Sequence, residues 1–436
     1  MNGATSRRRY LLAVGAAASG FAGCLGGGSD EGNGGGSDGD GGDGDGDGGG
    51  DGGTPTDRPT EGTETETETE TEETPTATPG DGVPAEHRTS PGSGSFQYNA
   101  ANTGHAPDES GPVNGLTEAW VFETGQEVVS SPVVVDGTVY VGCNNDRLYA
   151  LDAVDGTERW TFETSDSVRS SPAVADGTVY VGSDDADVYA IDAAEGTREW
   201  SFDTGRRVRS SPAVVDGTVY VGSNDNRLYA LDAVDGTERW TFETSGSVRS
   251  SPAVADGTVY VGSDDTDVYA IDAADGSERW TSETLSGVRS SPAVLEGVVY
   301  VGSRDGTLYA LGTERGDEEW TFDPSGAVLS SPAVVDGTVY VTSQDHRVYG
   351  IDAADGSGRW SFDTRNDIVS SPVVVDGHVY VAGTDREEIH VVGTDGTEGS
   401  SFDLNDRALS SPTAADDTLY VGSDDGNVYA LEEPFG

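Results

Sequence analysis

The stretch VVSSPVVVDGTVYVGCNNDRLYALDAVDGTERWTFE, residues 128–163, decides the fold, because turn residues divide it into four short runs with β-branched and aromatic character. Read as strands, the runs are Val128–Val135, Thr138–Gly142, Arg147–Asp152 and Glu158–Glu163. Asp136-Gly137 joins the first pair and Asp155-Gly156 the second, the dipeptide a tight hairpin requires. Ser-Ser-Pro then recurs with its proline at 132, 172, 212, 252, 292, 332, 372 and 412, a step of 40 residues over eight copies. Trp120, Trp160, Trp200, Trp240, Trp280, Trp320 and Trp360 keep that step, and Ser400 takes the eighth place. Four short strands per 40 residues predict an all-β chain, an eight-bladed β-propeller of four-stranded antiparallel blades.

Counting units also predicts how the ring shuts. A fourth-strand segment near Thr117 precedes the first Ser-Ser-Pro, while the last unit ends at Leu431 with three strands. The strand around Trp120 is therefore expected to complete the blade of Ser410–Leu431 and to pair the two ends of the domain. The period reads without an insertion from Trp120 to Tyr429. Residues 126–165 closely match 206–245, and 166–205 match 246–285, which marks duplication of an 80-residue pair. The unit Ser370–Leu409 diverges most, with Arg386-Glu387-Glu388-Ile389-His390 at the usual turn and Gly399-Ser400 at the Trp region, a pattern read as drift beside the closing blade.

Residues 1–24 read as an address. Arg7-Arg8-Arg9 precede a small, apolar run too short to span a bilayer, which fits a twin-arginine signal peptide. Phe21-Ala22-Gly23-Cys24 fits a lipobox, making Cys24 the expected lipid-attachment residue and a lipid anchor the expected membrane contact. Residues 25–95, Gly/Asp-rich and then Thr/Glu-rich, have almost no apolar residue to offset backbone entropy and are expected to form a disordered tether. A flexible coil of this length spans about 45 Å. The propeller is expected over 96–436.

The chain carries 24 Lys+Arg against 79 Asp+Glu, a formal net charge of -55, and every basic residue is Arg. Such a surface excludes a nucleic-acid partner. The balance is that of proteins that fold in molar salt, where screening shortens the Debye length to about 3 Å. With the export signals, it resembles haloarchaeal exported lipoproteins. Of the two cysteines, Cys24 falls to export chemistry, so no intrachain disulfide is expected; Cys143 stands where other units have Ser and reads as a small buried strand-end residue.

Ala150-x-Asp152-x-x-x-Gly156-x-x-x-Trp160 resembles the tryptophan-docking motif of pyrroloquinoline-quinone-type (PQQ-like) propellers. It recurs with Ala190/Gly196/Trp200, Ala230/Gly236/Trp240, Ala270/Gly276/Trp280 and Ala310/Gly316/Trp320, with Gly312 replacing the Asp in the last. Phe96-Gln97-Tyr98-Asn99 and Asn102-Thr103-Gly104 are similar to the segment that precedes such rings. The resemblance implies that each indole is wedged between the motif's Ala and a peptide plane beside the Gly of an adjacent blade. The seven tryptophans are thus structural. Quinone-dependent members of the family carry an adjacent Cys-Cys pair, calcium ligands and a catalytic Asp on loops that break the repeat. This chain has no adjacent cysteines, so no cofactor, metal or catalytic residue is expected. Its likeness is greater to noncatalytic members such as lipoproteins that assist outer-membrane assembly.

His87, His105, His346, His378 and His390 are isolated and read as tolerated substitutions. Acidic turns such as Asp184-Asp185-Ala186-Asp187 lack the Gly and distal Glu of a calcium loop. The remaining candidate is Arg169, Arg209, Arg249 and Arg289, each three residues before a Ser-Ser-Pro proline, with Val129, Leu329, Val369 and Leu409 in the other units. At the mouth of the central channel these would form a basic crescent facing an apolar half. The competing reading is rim neutralisation by an acidic neighbour such as Glu163 or Asp185. The function expected is that of a noncatalytic, monomeric, lipid-anchored protein at the outer face of the cell membrane, binding an unidentified protein, polymer or anionic ligand. The alternatives are a quinone-dependent oxidoreductase and a solute-capture or sensory lipoprotein. Because unscreened carboxylates repel one another, circular dichroism is expected to lose strand signal as KCl falls from molar to about 0.1 M; an unchanged melting temperature across that range would refute the high-salt reading.

Overall fold

The computed structural model describes residues 96–106, 109–365, 367–383 and 388–434, all within the compact unit Pro79–Gly436. The expectations for residues 1–95, Cys24 and His87 among them, lie outside the described residues. Eight four-stranded antiparallel sheets follow one another in chain order. The strand β1 (Thr117–Glu123) pairs with Asn427–Glu432 and completes the eighth blade, as the unit count predicts. Blade 1 then runs from the axis outward through β2 (Val133–Val135), β3 (Thr138–Cys143), β4 (Arg147–Asp152) and β5 (Glu158–Glu163). Positive φ at Asp136 (49°) and Gly137 (69°) gives β2–β3 the primed hairpin turn whose twist matches the strands.

The innermost strand is shorter than the sequence suggests, because residues 128–132 leave the ladder. Proline has no N–H to give, and the two serines before it form other bonds. In every blade the first serine accepts at Oγ from the backbone N–H near the end of the second strand, from Gly142 N–H to Ser130 through Gly422 N–H to Ser410, at 2.8–3.1 Å. The second serine links blades. Ser131 N–H donates to Ser171 Oγ, Ser171 to Ser211, and so on to Ser411, whose N–H donates back to Ser131 Oγ. The eight bonds, 2.8–3.0 Å long, close a circle of buried hydroxyls at the axis.

At the perimeter the tryptophans lock neighbouring blades. Trp120 Nε1 donates to Ala153 O of blade 1, and the six that follow do the same to Ala193, Ala233, Ala273, Thr313, Ala353 and Thr394, at 2.8–3.0 Å. Each indole lies on a glycine held at positive φ: a Cβ on Gly156, Gly196, Gly236, Gly276, Gly316, Gly356 or Gly396 would come within 2.5–2.8 Å of it. Only glycine permits both that backbone and that approach.

Blade 7 departs from the pattern. Val381 pairs with His390, nine positions on, where Val341 pairs with Tyr349, eight positions on, so the period does contain a one-residue insertion, compensated in the next turn. His390 therefore takes the tyrosine place, edge-on to Phe362, and burial lowers its pKa. Ser400 supplies no indole, and its Oγ is buried without a hydrogen-bond partner. The N-terminal segment covers this seam. Tyr380 Oη donates to Pro112 O, Gly111 packs on the same ring, and Glu433 accepts from Val113 N–H and Asn114 N–H.

Upstream, residues 97–104 fill the channel. The middle residue of an innermost strand turns its N–H away from the ladder, and Val254, Val294, Val334 and Val374 donate to the carbonyls of Ala100, Ala101, Thr103 and Gly104 at 2.6–2.9 Å. Tyr98 Oη bonds both Ala414 N and O, and Asn102 Nδ2 donates to Pro252 O at 3.1 Å. If the indoles hold blade to blade, Trp240→Ala is expected to cost about 3–5 kcal/mol in urea unfolding at molar KCl, while His378→Ala costs under about 0.5. Equal losses would contradict the docking role.

Candidate functional site

The connections leading into the innermost strands and those between second and third strands lie at one end of the ring, hydrogen-bonded to each other, as in Val168 N–H to Cys143 O and Asp184 N–H to Ser167 O. The first set carries Arg169, Arg209, Arg249 and Arg289 in blades 2–5, then Leu329, Val369, Leu409 and Val129, all half-buried. The eightfold position is thus split into a contiguous basic arc and a contiguous apolar arc. Gln97 and Asn102 of the N-terminal segment reach the carbonyls of Pro332, Ser251 and Pro252 just beneath, so this mouth has a floor.

The acidic partners differ from those expected. Glu163 pairs across the sheet with Arg147, and Asp185 is committed to Tyr189 Oη and Ser165 N–H, each at 2.8 Å. Asp184 and Asp264 are the counter-ions instead. Asp184 receives Arg209 in a two-pronged contact at 2.8 and 2.7 Å and lies 3.6 Å from Arg169 Nε and 4.0 Å from Arg207 Nε. Asp264 receives Arg289 at 2.7 and 3.3 Å and lies 3.4 Å from Arg249 Nε. Two aspartates therefore serve five arginines, and the arc keeps positive charge. Arg304, the blade-5 counterpart of Asp184, adds more and makes no ion pair among the described residues.

Each aspartate holds one guanidinium closely, Asp184 two others loosely and Asp264 one, and Nε of Arg169 and Arg249 is buried with no hydrogen-bond partner. The hydrogen bond with Asp184 raises the pKa of Arg209. Burial first, then Arg289, lowers that of Arg249, and Arg209 and Arg304 act in the same direction. Sequence reading missed Asp184, Asp264, Arg207 and Arg304. The alternation Asn144, Asp184, Asn224, Asp264 was the available signal, since a two-unit charge period cannot come from a one-unit backbone period.

A family model described as outer membrane protein assembly factor BamB matches residues 112–208, 185–292, 264–371 and 366–434. The chain belongs to this family. BamB from Moraxella catarrhalis has the same fold, with a TM-score of 0.64 at 18% identity over 74% of this chain and 98% of that one. Quinohemoprotein alcohol dehydrogenase ADHIIG from Pseudomonas putida HK5 aligns at 0.68 and 16%, over 78% and 81%. The computationally designed Ika8 protein aligns at 0.66 and 17%, over 72% and 99%. No curated protein matches the sequence.

The BamB family shares its ring with quinone enzymes, so the donor set of this rim needs testing against that chemistry. Cys143 is buried with its thiol directed to Thr124 Oγ1 and Gln126 O, and burial pushes its pKa up. Asp265, like Asp185, is spent on a tyrosine hydroxyl and backbone N–H groups. Among the described residues no three His, Cys, Asp or Glu are grouped to hold a metal. These residues do not fit a quinone and its metal. Asp184→Asn would leave three arginines without their carboxylate; a loss of about 1–3 kcal/mol in urea unfolding is expected after allowance for the half-exposed guanidinium groups. No loss would show that the rim tolerates its charge unaided.

Proposed function

We propose that this member of the BamB family is a noncatalytic docking protein whose floored rim binds an anionic protein or polymer. The observation that carries the reading is the division of one eightfold position into four arginines and four apolar residues, with more guanidinium groups than carboxylates to meet them. A surface of net charge -55 repels anions, so arginines concentrated at one mouth mark where an anionic group is accepted. The apolar arc would take the hydrophobic part of the same partner. In molar salt, long-range steering vanishes and contact must be direct, which favours the two-pronged guanidinium.

The proposal includes the address read from the N-terminus: export in the folded state, lipid attachment at Cys24 and monomeric action at the outer face of the cell membrane. Quinone catalysis is the weaker reading, because the rim's acidic side chains are already engaged by arginine, tyrosine and backbone groups. The test replaces Arg169, Arg209, Arg249 and Arg289 together by Gln, verifies the fold by circular dichroism in molar KCl, and compares crosslinked partners on intact cells. At least a tenfold drop in captured partner is expected. Equal capture by the variant would place docking elsewhere.

A further inference from the structure

Two of the three aspartates at this repeat place lie two blades apart, each between the arginine of its own blade and that of the next, whereas the third, Asp424 of blade 8, pairs with Arg407. Asp184 lies between Arg169 and Arg209, and Asp264 between Arg249 and Arg289. The blade between them has the same place, flanked by Arg209 and Arg249, and there the residue is Asn224. Its Nδ2 donates no side-chain hydrogen bond among the described residues, whereas that of its blade-1 counterpart Asn144 donates to Glu127; the Oδ1 of both is buried without a partner. On one side, the Nε of Arg249 is likewise buried and unbonded, 3.4 Å from Asp264 and outside hydrogen-bond geometry. On the other, Arg209 spends Nε and one terminal nitrogen on Asp184, leaving its second terminal nitrogen.

We infer that the solvent side of Asn224, between Arg209 and Arg249, is a carboxylate-binding site that the ligand itself completes. The repeat supplies the warrant for the ligand's chemistry. Where the chain provides the acid, the occupant is a carboxylate seated against the guanidinium of the next blade, with two contacts of 2.7 and 2.8 Å at Asp184. Asn224 keeps the shape of that occupant, removes its charge and adds an amide donor. Both flanking arginines remain, so the site has the cationic half of the motif and lacks the anionic half. A charge-assisted contact to a planar oxyanion restores the pattern found on either side. The carboxylate can come from an acidic side chain of the docked partner or from a free dicarboxylate.

This site rests on the docking reading above, and the test separates the two. Binding of a pentaglutamate peptide, of succinate and of inorganic phosphate is measured by calorimetry in molar KCl for the wild-type chain, Asn224→Asp, Arg249→Gln and Gln344→Glu. Asn224→Asp supplies the missing acid internally. It is expected to raise the melting temperature by about 2 °C or more and to weaken carboxylate binding at least tenfold. Arg249→Gln is expected to weaken binding equally without raising the melting temperature. Gln344→Glu adds the same charge on the same circle, between Leu329 and Val369, and is expected to leave binding within about twofold. Tighter peptide than succinate binding identifies a protein-borne carboxylate, and the reverse a free one; either supports the site. Phosphate binding more tightly than both carboxylates, or unaltered carboxylate binding by Asn224→Asp, would overturn it. If Asn224→Asp binds normally while the four-Gln variant loses its partner, the docking reading stands and this site falls. If the four-Gln variant also keeps its partner, both fall.

Discussion

Everything in this ring depends on what can fit where eight strands converge. Where the strand entries converge around the plug of residues 97–104, cohesion between blades comes from small groups that bond in fixed directions. The paired serines meet that demand: one hydroxyl ties a strand to its own blade and the next ties blade to blade, until Ser411 returns to Ser131. The proline that follows supplies no N–H needing a partner at this crowded place. At the perimeter, where blades diverge and space opens, large apolar surface does the joining and tryptophan replaces serine. The radial gradient from Ser to Trp within each 40-residue unit is the ring's geometry written in side-chain size.

That gradient explains why the fold was legible in the sequence. The prolines, the Asp-Gly turns and the tryptophans sit where the backbone leaves few alternatives, and each recurs because each blade meets the same constraint. Blade closure by the strand of Trp120 was equally legible, because an incomplete unit at each end has one way to be completed. Less visible were the contacts that depend on breaking the repeat. The N-terminal segment enters the channel through backbone carbonyls, which carry no sequence signal, and the one-residue insertion of blade 7 is hidden by its compensating deletion. At the rim, the arginines stood out by position, but their counter-ions did not. Choosing Asp184 over Asp185 needs knowledge of which side chain faces the axis and which is held by Tyr189.

The split between regular and irregular features also bears on function. Equivalent blades present equivalent groups, so a ring of nearly identical units binds nothing in particular until some units differ. Here two positions of one rim vary, and over blades 1–4 one of them alternates Asn144, Asp184, Asn224 and Asp264. A duplicated pair therefore brought alternating acid and amide with it, and the arginines inherited unequal surroundings. In this ring such rim substitutions lie outside both the serine circle and the indole locks.

The seam between blades 7 and 8 gives the ring a mechanical direction. Seven joints are clamped by an indole; the eighth is held by residues 109–116, which run from the channel floor to the strand that closes the domain. The carbonyls of Ala100, Ala101, Thr103 and Gly104 bond to four different blades in succession. Tension applied at residue 96 would load these bonds one after another before reaching the seam, so the segment acts as a strain relief. A pull on the N-terminus would unzip the plug first, and the ring would open only once that slack had been taken up.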